Sequence, residues 1–179
     1  MGPPGHRRYR LEGRRRQGLY RPSGGPADPL RAGQGTLSRV SCQVSFYSDA
    51  AEPLHFACRL LRRALAAGRP VGVCAPDEAL AWRLDALLWS FEPAEFLPHR
   101  RWQPGLEPRP GEVLIVRDAA QLPHRALLLN LGEEAPAEAL NFERVLEVVG
   151  REESQVHAGR QRYRIYQRGG ARLDHFSAA

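Results

Sequence analysis

A few side chains of this sequence could carry nucleophilic or acid–base chemistry. Cys74 precedes a predicted helix, and a helix N-terminus can lower the pKa of a thiol and activate it. A small buried hydrophobe at a strand end is the better interpretation of this cysteine. Glu92 and Glu95 could form an acid–base pair, but two carboxylates near a helix end are usually only solvated. We therefore predict no catalytic residue.

The sequence lacks the motifs that would hold a metal ion or a nucleotide. The three cysteines are widely separated, and the histidines show no paired ligand spacing. Neither GxGxxG nor GxxxxGK followed by Ser or Thr occurs, and the GxSxG motif of serine hydrolases does not occur either. An odd number of scattered cysteines argues against a disulfide framework and fits a reducing cytoplasm. We expect no metal and no cofactor.

The last predicted helix offers a candidate binding face. At 100° per residue, Val156, Arg160 and Tyr163 share one side of this helix, and Arg164 lies at its margin. An apolar ring flanked by two cations suits an acidic peptide that ends in a hydrophobic residue and a free carboxylate. The same face would also suit phosphates, and a basic helix face that is merely solvated is a further alternative.

A second candidate surface is the aromatic stretch over residues 82–99. It begins as an amphipathic helix, breaks at Pro93 and contains several large aromatic side chains. Trp82 and Phe91 are predicted to lie in the core, which is the usual place for such residues. Trp89 and Phe96 flank the point where the helix gives way to a loop. There an aromatic pair either anchors a partner or plugs the loop.

The elements that must position these residues alternate along the chain. Helices are predicted over 54–67, from Asp77 as N-cap to about Trp89, and over 151–168. Between His99 and Pro110 we expect an irregular surface loop. The uninterrupted apolar strands predict a three-layer α/β domain with a mostly parallel sheet of about five strands. These strands are predicted at 43–47, 70–75, 112–116, 125–131 and 145–149.

The N-terminal 40 residues differ in composition from the rest. They hold nine arginines against Glu12 and Asp28, a net charge of +7, whereas residues 41–179 carry −1. A segment rich in Gly, Pro and Arg is predicted to be disordered. It is a non-functional extension, sequence translated upstream of the true start codon, or a basic arm that contacts nucleic acid together with the last helix. No apolar run approaches 18 residues and no secretory signal is evident, so we expect a cytoplasmic protein without membrane contact.

Two segments give the chain a family resemblance. The residues 83–99, RLDALLWSFEPAEFLPH, and the later GRQRYRIYQ at 159–167 resemble the chi subunit of bacterial DNA polymerase III. The likeness covers about residues 41–176. It implies a non-catalytic accessory subunit of the clamp-loader assembly. It also implies a nucleotide-binding-like α/β fold that has lost its phosphate loop.

The resemblance also implies two partners. The positions that match the surface for the psi subunit are Trp89 and Phe96, with Asp85 and Pro98 as neighbours. A separate surface would capture the acidic, Phe-terminated tail of single-stranded DNA-binding protein, and would associate the chain with DNA only indirectly. Its matching positions are Val156, Arg160, Tyr163 and Arg164.

Two departures from the family pattern affect the tail site. Gly159 inside the last helix costs about 1 kcal/mol relative to Ala, which predicts a frayed or mobile helix. Val156 stands where a cation would strengthen capture of the tail, which predicts a lower affinity.

Overall fold

The computed structural model describes residues 41–91 and 96–178. The predictions for residues 1–40, for the pair Glu92 and Glu95, and for the break at Pro93 lie outside this part of the chain. No helix among the described residues has the length and apolar content needed to cross a membrane.

A single parallel sheet of seven strands forms the middle layer of the domain. Its spatial order is β3-β4-β2-β5-β6-β1-β7, and all six neighbouring pairs run parallel. The strands are β1 (Gln43–Ala50), β2 (Val71–Cys74), β3 (His99–Arg101), β4 (Val113–Val116), β5 (Leu127–Asn130), β6 (Arg144–Gly150) and β7 (Arg172–Ser177). Because all strands point the same way, their carboxyl ends meet at one edge of the layer.

Helices cover both faces of this sheet. On one face, α1 (Pro53–Ala66) and α2 (Glu78–Ser90) bury Leu61 and Leu84 against strand residues such as Val73. On the other face, α3 (Glu153–Arg168) and two short 3-10 turns at Ala119–Gln121 and Ala139–Asn141 close a second apolar cluster. The predicted three-layer α/β fold with a mostly parallel sheet is confirmed.

All five predicted strands are present, but two further strands were missed. Strand β3 is only three residues long and reads His-Arg-Arg, so it lacks the apolar content by which buried strands are recognised. The prediction of an irregular loop from His99 onward is therefore wrong over these first residues. Strand β7 is an edge strand whose residues are mostly exposed, which removes the same signal.

The orientation of α2 decides which aromatic residues reach the core. Asp77 is its N-cap as predicted, because Asp77 Oδ1 accepts a hydrogen bond from the backbone N–H of Ala79 at 3.1 Å. The helix then buries Leu84 and Leu88 against the sheet. Trp82 lies on another side and is 54% exposed, so the prediction that it belongs to the core is wrong. Phe91 is partly buried and packs against the core, as predicted.

Gly159 lets α3 approach the sheet closely. It is buried, and a Cβ atom at this position would lie 2.9 Å from Cγ2 of Val149 on β6. The helix is continuous from Glu153 to Arg168, so the prediction of a frayed helix is wrong. Glycine at this position is explained by the close packing of α3 on β6, which helix propensity does not take into account.

A buried polar network holds α3 in its rotation on the sheet. The carboxylate of Glu147 on β6 has no exposed surface, and Arg162 donates to it from Nε at 2.8 Å. Tyr166 donates at 2.6 Å and Asn130 at 3.0 Å. Complete burial raises the pKa of Glu147, while the charge of Arg162 and the hydrogen bonds from Tyr166 and Asn130 act in the opposite direction. Arg162 also donates to the carbonyl oxygen of Glu133, which ties the loop after β5 to the helix.

We predict that Gly159→Ala lowers the free energy of unfolding by about 1–3 kcal/mol, because the new methyl group would overpack against Val149. At an exposed helix position the same change would raise stability by about 1 kcal/mol. Urea unfolding measures the difference. In a Val149→Ala background the penalty should shrink, since the opposing methyl groups are gone. An equal penalty in both backgrounds would contradict the close approach.

We expect Arg162→Met to lower the free energy of unfolding by about 3–5 kcal/mol, since it leaves the Glu147 carboxylate buried without its cation. The matched control is Arg69→Met, which removes a solvent-exposed ion pair to Glu143 at 3.0 Å and should cost less than about 1 kcal/mol. Thermal and urea unfolding of both variants test this. Equal decreases in the free energy of unfolding would show that the buried ion pair contributes no more to stability than the exposed one.

Candidate protein-binding surfaces

A groove of about 620 Å³ lies where α3 crosses the carboxyl ends of β1, β6 and β7. Phe46 of β1 and Val149 of β6 line it, and Gly159 leaves the space that a larger helix residue would fill. Val156 is partly buried and packs against the core beneath it. The groove therefore has an apolar floor built from three elements.

Tyr163 forms one apolar wall of this groove. Its ring centroid lies 5.4 Å from that of Phe46, with a tilted interplanar angle of 55°. The side chain is 37% exposed, so part of the ring remains available to a ligand. A tilted pair of this kind gives an incoming aromatic ring both an edge and a face to contact.

The rim of the groove is positively charged. Arg160 and Arg164 line it and are exposed, and within the described part of the chain neither takes part in an ion pair. Arg151 also lines the groove but is held by Asp49, whose Oδ1 lies 2.8 Å from Arg151 Nε. Three guanidinium groups against one carboxylate give this rim a net positive charge.

The groove brings together all four residues predicted for the tail site, namely Val156, Arg160, Tyr163 and Arg164. Sequence reasoning missed Phe46 and Val149, because their positions at strand ends show only once the sheet order is known. It also misjudged Gly159. This residue lies about one helical turn after Val156 on α3, and that spacing could have shown that it belongs to the groove. An apolar floor beneath unpaired guanidinium groups is suited to a ligand with an apolar end and negative charge.

The residues predicted for the second surface also lie together, at the opposite edge of the sheet. The rings of Trp89 and Phe96 are 5.0 Å apart, and they are 65% and 57% exposed. His99 of edge strand β3 lies beneath them, 5.2 Å from the Trp89 ring and 6.0 Å from the Phe96 ring. We call Trp89, Phe96 and His99 the aromatic patch.

Asp85 and Pro98 border the aromatic patch as expected. Asp85 lies one helical turn before Trp89, and its Oδ1 is 3.6 Å from His99 Nε2. Pro98 is exposed, while its carbonyl oxygen accepts a hydrogen bond from Val113 N at 2.8 Å. The imidazole beneath the two rings was not anticipated from the sequence.

A larger crevice of about 1060 Å³ opens at the carboxyl ends of β2, β5 and β6, where related α/β sheets bind nucleotides. The helix N-termini there are poorly suited to a phosphate. Asp77 already occupies that of α2, and α1 begins with Pro53, which has no N–H to donate. Of its two arginines, Arg83 and Arg162, the second is committed to Glu147. The carboxylates that line the crevice are Glu52, Asp77, Glu133 and Glu134.

Cys74 has the properties of a structural residue. Its side chain is 2% exposed, and its thiol donates to the carbonyl oxygen of Arg117 at 3.7 Å. Burial raises the pKa of this thiol to about 11, so little thiolate forms at neutral pH. These observations favour the interpretation of Cys74 as a small buried hydrophobe.

Comparisons with known proteins match most of the described fold. The family model for "DNA polymerase III chi subunit, HolC" matches residues 42–174. A Pseudomonas aeruginosa protein named DNA polymerase III subunit chi is 36% identical over 142 residues, covering 78% of this chain and 96% of that protein. A Haemophilus influenzae protein of the same name is 29% identical over 109 residues, covering 60% of this chain and 75% of that protein.

Proposed function

The chain belongs to the DNA polymerase III chi subunit family and has an accessory role in DNA replication, and we propose that it acts there as a non-catalytic connector in the cytoplasm. In this proposal, the groove on α3 holds the acidic, Phe-terminated tail of single-stranded DNA-binding protein. The aromatic patch holds the psi subunit and through it the clamp loader. The chain would then associate with DNA only indirectly, through the protein that coats it.

The observation that best supports the tail site is the convergence of Val156, Arg160, Tyr163 and Arg164 on one groove. A terminal phenylalanine would place its ring on the floor between Phe46 and Tyr163. Its carboxylate would lie within reach of a guanidinium group, which can donate two parallel hydrogen bonds to it. The acidic residues that precede it would meet the net positive rim.

The psi site is supported by the exposure of Trp89 and Phe96. Large aromatic side chains in an exposed pair are typical anchors of protein interfaces. His99 supports the pair from below and is itself held, since its Nδ1 lies 2.7 Å from the carbonyl oxygen of Leu97. The anchors are therefore already arranged before a partner arrives, which lowers the entropic cost of binding.

The placement of the two surfaces also favours a connector. The aromatic patch lies beside β3 at one edge of the sheet, and the groove lies beside β7 at the other. Two partners could therefore bind without competing for the same residues. A rigid seven-stranded sheet between them would hold the two at a fixed separation.

We predict that Arg160→Ala weakens binding of an acidic peptide ending in Pro-Phe by about 1.5–3 kcal/mol, roughly ten- to hundredfold, because a charge-assisted contact is lost. Fluorescence anisotropy with a labelled peptide and the full chain measures this. Arg168→Ala on the same helix is the matched control, because Arg168 is exposed but does not line the groove.

A second control replaces the terminal carboxylate of the peptide by an amide, which should reduce the affinity of the wild-type chain to a similar degree. An unchanged affinity of Arg160→Ala would show that the tail site is assigned to the wrong residues. Binding of single-stranded DNA that persists in the absence of the other protein, and falls steeply with salt, would instead favour direct nucleic-acid binding through the basic N-terminal segment and last helix.

For the psi site, Phe96→Ala should weaken association with the psi subunit by about 2 kcal/mol or more, because half of the exposed aromatic pair is removed. Co-purification and titration with the psi subunit of the same replicase measure this. Ile165→Ala is the control, since Ile165 is a similarly exposed apolar residue on α3. If the two variants bind psi equally well, the aromatic patch is not the psi site.

A further inference from the structure

Trp82 is a second exposed tryptophan on α2 that the aromatic patch does not include. Its side chain is 54% exposed, and the guanidinium carbon of Arg101 lies 4.5 Å from the centre of its ring. Packing of the core explains neither why such a large side chain stands at this position nor why it is exposed. Large apolar side chains that are exposed near one another usually mark an interaction surface.

Trp82 continues the line of the aromatic patch along α2. Trp82, Asp85 and Trp89 are separated by three and four residues and therefore lie on one side of the helix. At about 1.5 Å per residue, the two tryptophans are roughly 10 Å apart along the axis. This spacing of exposed residues is the one by which a helix packs against another helix. A partner helix with apolar residues at matching intervals would contact both rings.

A hydrogen bond and a longer polar contact join this line to edge strand β3. Arg101 Nη2 donates to Glu78 Oε1 at 2.6 Å at the start of α2, and His99 Nε2 lies 3.6 Å from Oδ1 of Asp85, about two turns further along the helix. Strand β3 pairs only with β4, so its outer side is open within the described sheet. The side of α2 and the rim of the sheet thus form one continuous, preorganised surface from Phe96 to Trp82.

The Trp82 end of this surface is positively charged. Arg101 and Arg117 both contact Glu78, so two guanidinium groups face one carboxylate. Arg117 is 65% exposed and lies 3.4 Å from Glu78, which leaves much of its donor capacity free. Charge complementarity therefore favours a partner segment with a carboxylate at this end.

We propose that the psi-binding surface extends along α2 to Trp82 and receives a helix of the psi subunit that spans both tryptophans. That helix carries apolar residues three to four positions apart and a carboxylate that faces Arg117. This inference rests on the proposed function, because it assigns Trp82 to the partner that binds Trp89 and Phe96. It adds Trp82, Arg101 and Arg117 to that interface.

Isothermal titration of the full chain with the purified psi subunit tests the extension. Trp82→Ala should weaken the affinity by at least about tenfold, as expected for a buried aromatic anchor. Trp82→Gln should do the same while keeping a longer side chain. Because Trp82 is exposed, both variants should unfold at the wild-type temperature, and Ile165→Ala should bind psi like the wild type.

The predicted carboxylate contact at the positively charged Trp82 end of the surface is tested separately. Arg117→Glu should weaken psi binding by about three- to tenfold at low salt, and the difference should narrow as salt is raised. Ala120 is an exposed residue close by in the chain, and Ala120→Glu adds a negative charge without removing the guanidinium group. An effect of Arg117→Glu no larger than that of Ala120→Glu would overturn the predicted carboxylate contact.

The outcomes separate the extension from the psi site itself. If Phe96→Ala weakens binding but Trp82→Ala behaves like Ile165→Ala, the extension is wrong and the proposed psi site stands. If neither aromatic substitution changes the affinity, the psi site fails and the extension fails with it. If the chain alone forms a dimer that Trp82→Ala dissociates, the occupant of this surface is a second copy of the chain, which also overturns the inference.

Discussion

The rotation of α3 on the sheet depends on the ion pair between Glu147 and Arg162, which is buried on both sides. Because neither charge is solvated, each is stable only when it contacts the other and its hydrogen-bond partners. Arg162 therefore has one favourable position, beside Glu147. At 100° per residue, fixing Arg162 inward turns Arg160 and Arg164 outward, each about 200° away. Tyr163 is left at the edge. The direction of the proposed binding face of the helix is therefore a consequence of a core interaction.

A similar constraint arranges the other surface, with apolar contacts instead of charges. Burial of Leu84 and Leu88 directs Trp82 and Trp89 away from the sheet. The edge strand β3 then supplies Arg101 and His99 to hold the exposed line in place. In both cases the residues available to partners are those that the core leaves outside. The side chains at both surfaces are therefore already ordered in the folded chain, which lowers the entropic cost of binding a partner.

The sequence predicts most of this architecture because buried parallel strands are apolar runs and α2 has a recognisable cap at Asp77. It does not predict β3, whose three residues form a strand only because β4 lies beside them. It also misplaces Trp82, since a large aromatic residue is buried by default and only the packing of Leu84 and Leu88 sets its direction. Gly159 is misjudged for a related reason, because helix propensity takes no account of the approach of Val149.

The candidate surface on α3 can be predicted from the sequence because its residues belong to a single element. Arg160, Tyr163 and Arg164 follow one another on one helix, so helical geometry alone groups them. Phe46 comes from a strand more than a hundred residues away in sequence, and only the sheet order brings it to Tyr163. The family resemblance suggested the identity of the proposed partners, which neither periodicity nor charge could supply.

We propose that the chain holds two partners at once, on opposite edges of one sheet. The most direct measurement is a titration of the chain, already saturated with the psi subunit, with the acidic tail peptide of single-stranded DNA-binding protein. We predict an affinity equal to that of the free chain and a ternary complex with one copy of each partner by analytical ultracentrifugation. Displacement of psi by the peptide, or loss of peptide binding in the psi complex, would contradict the claim.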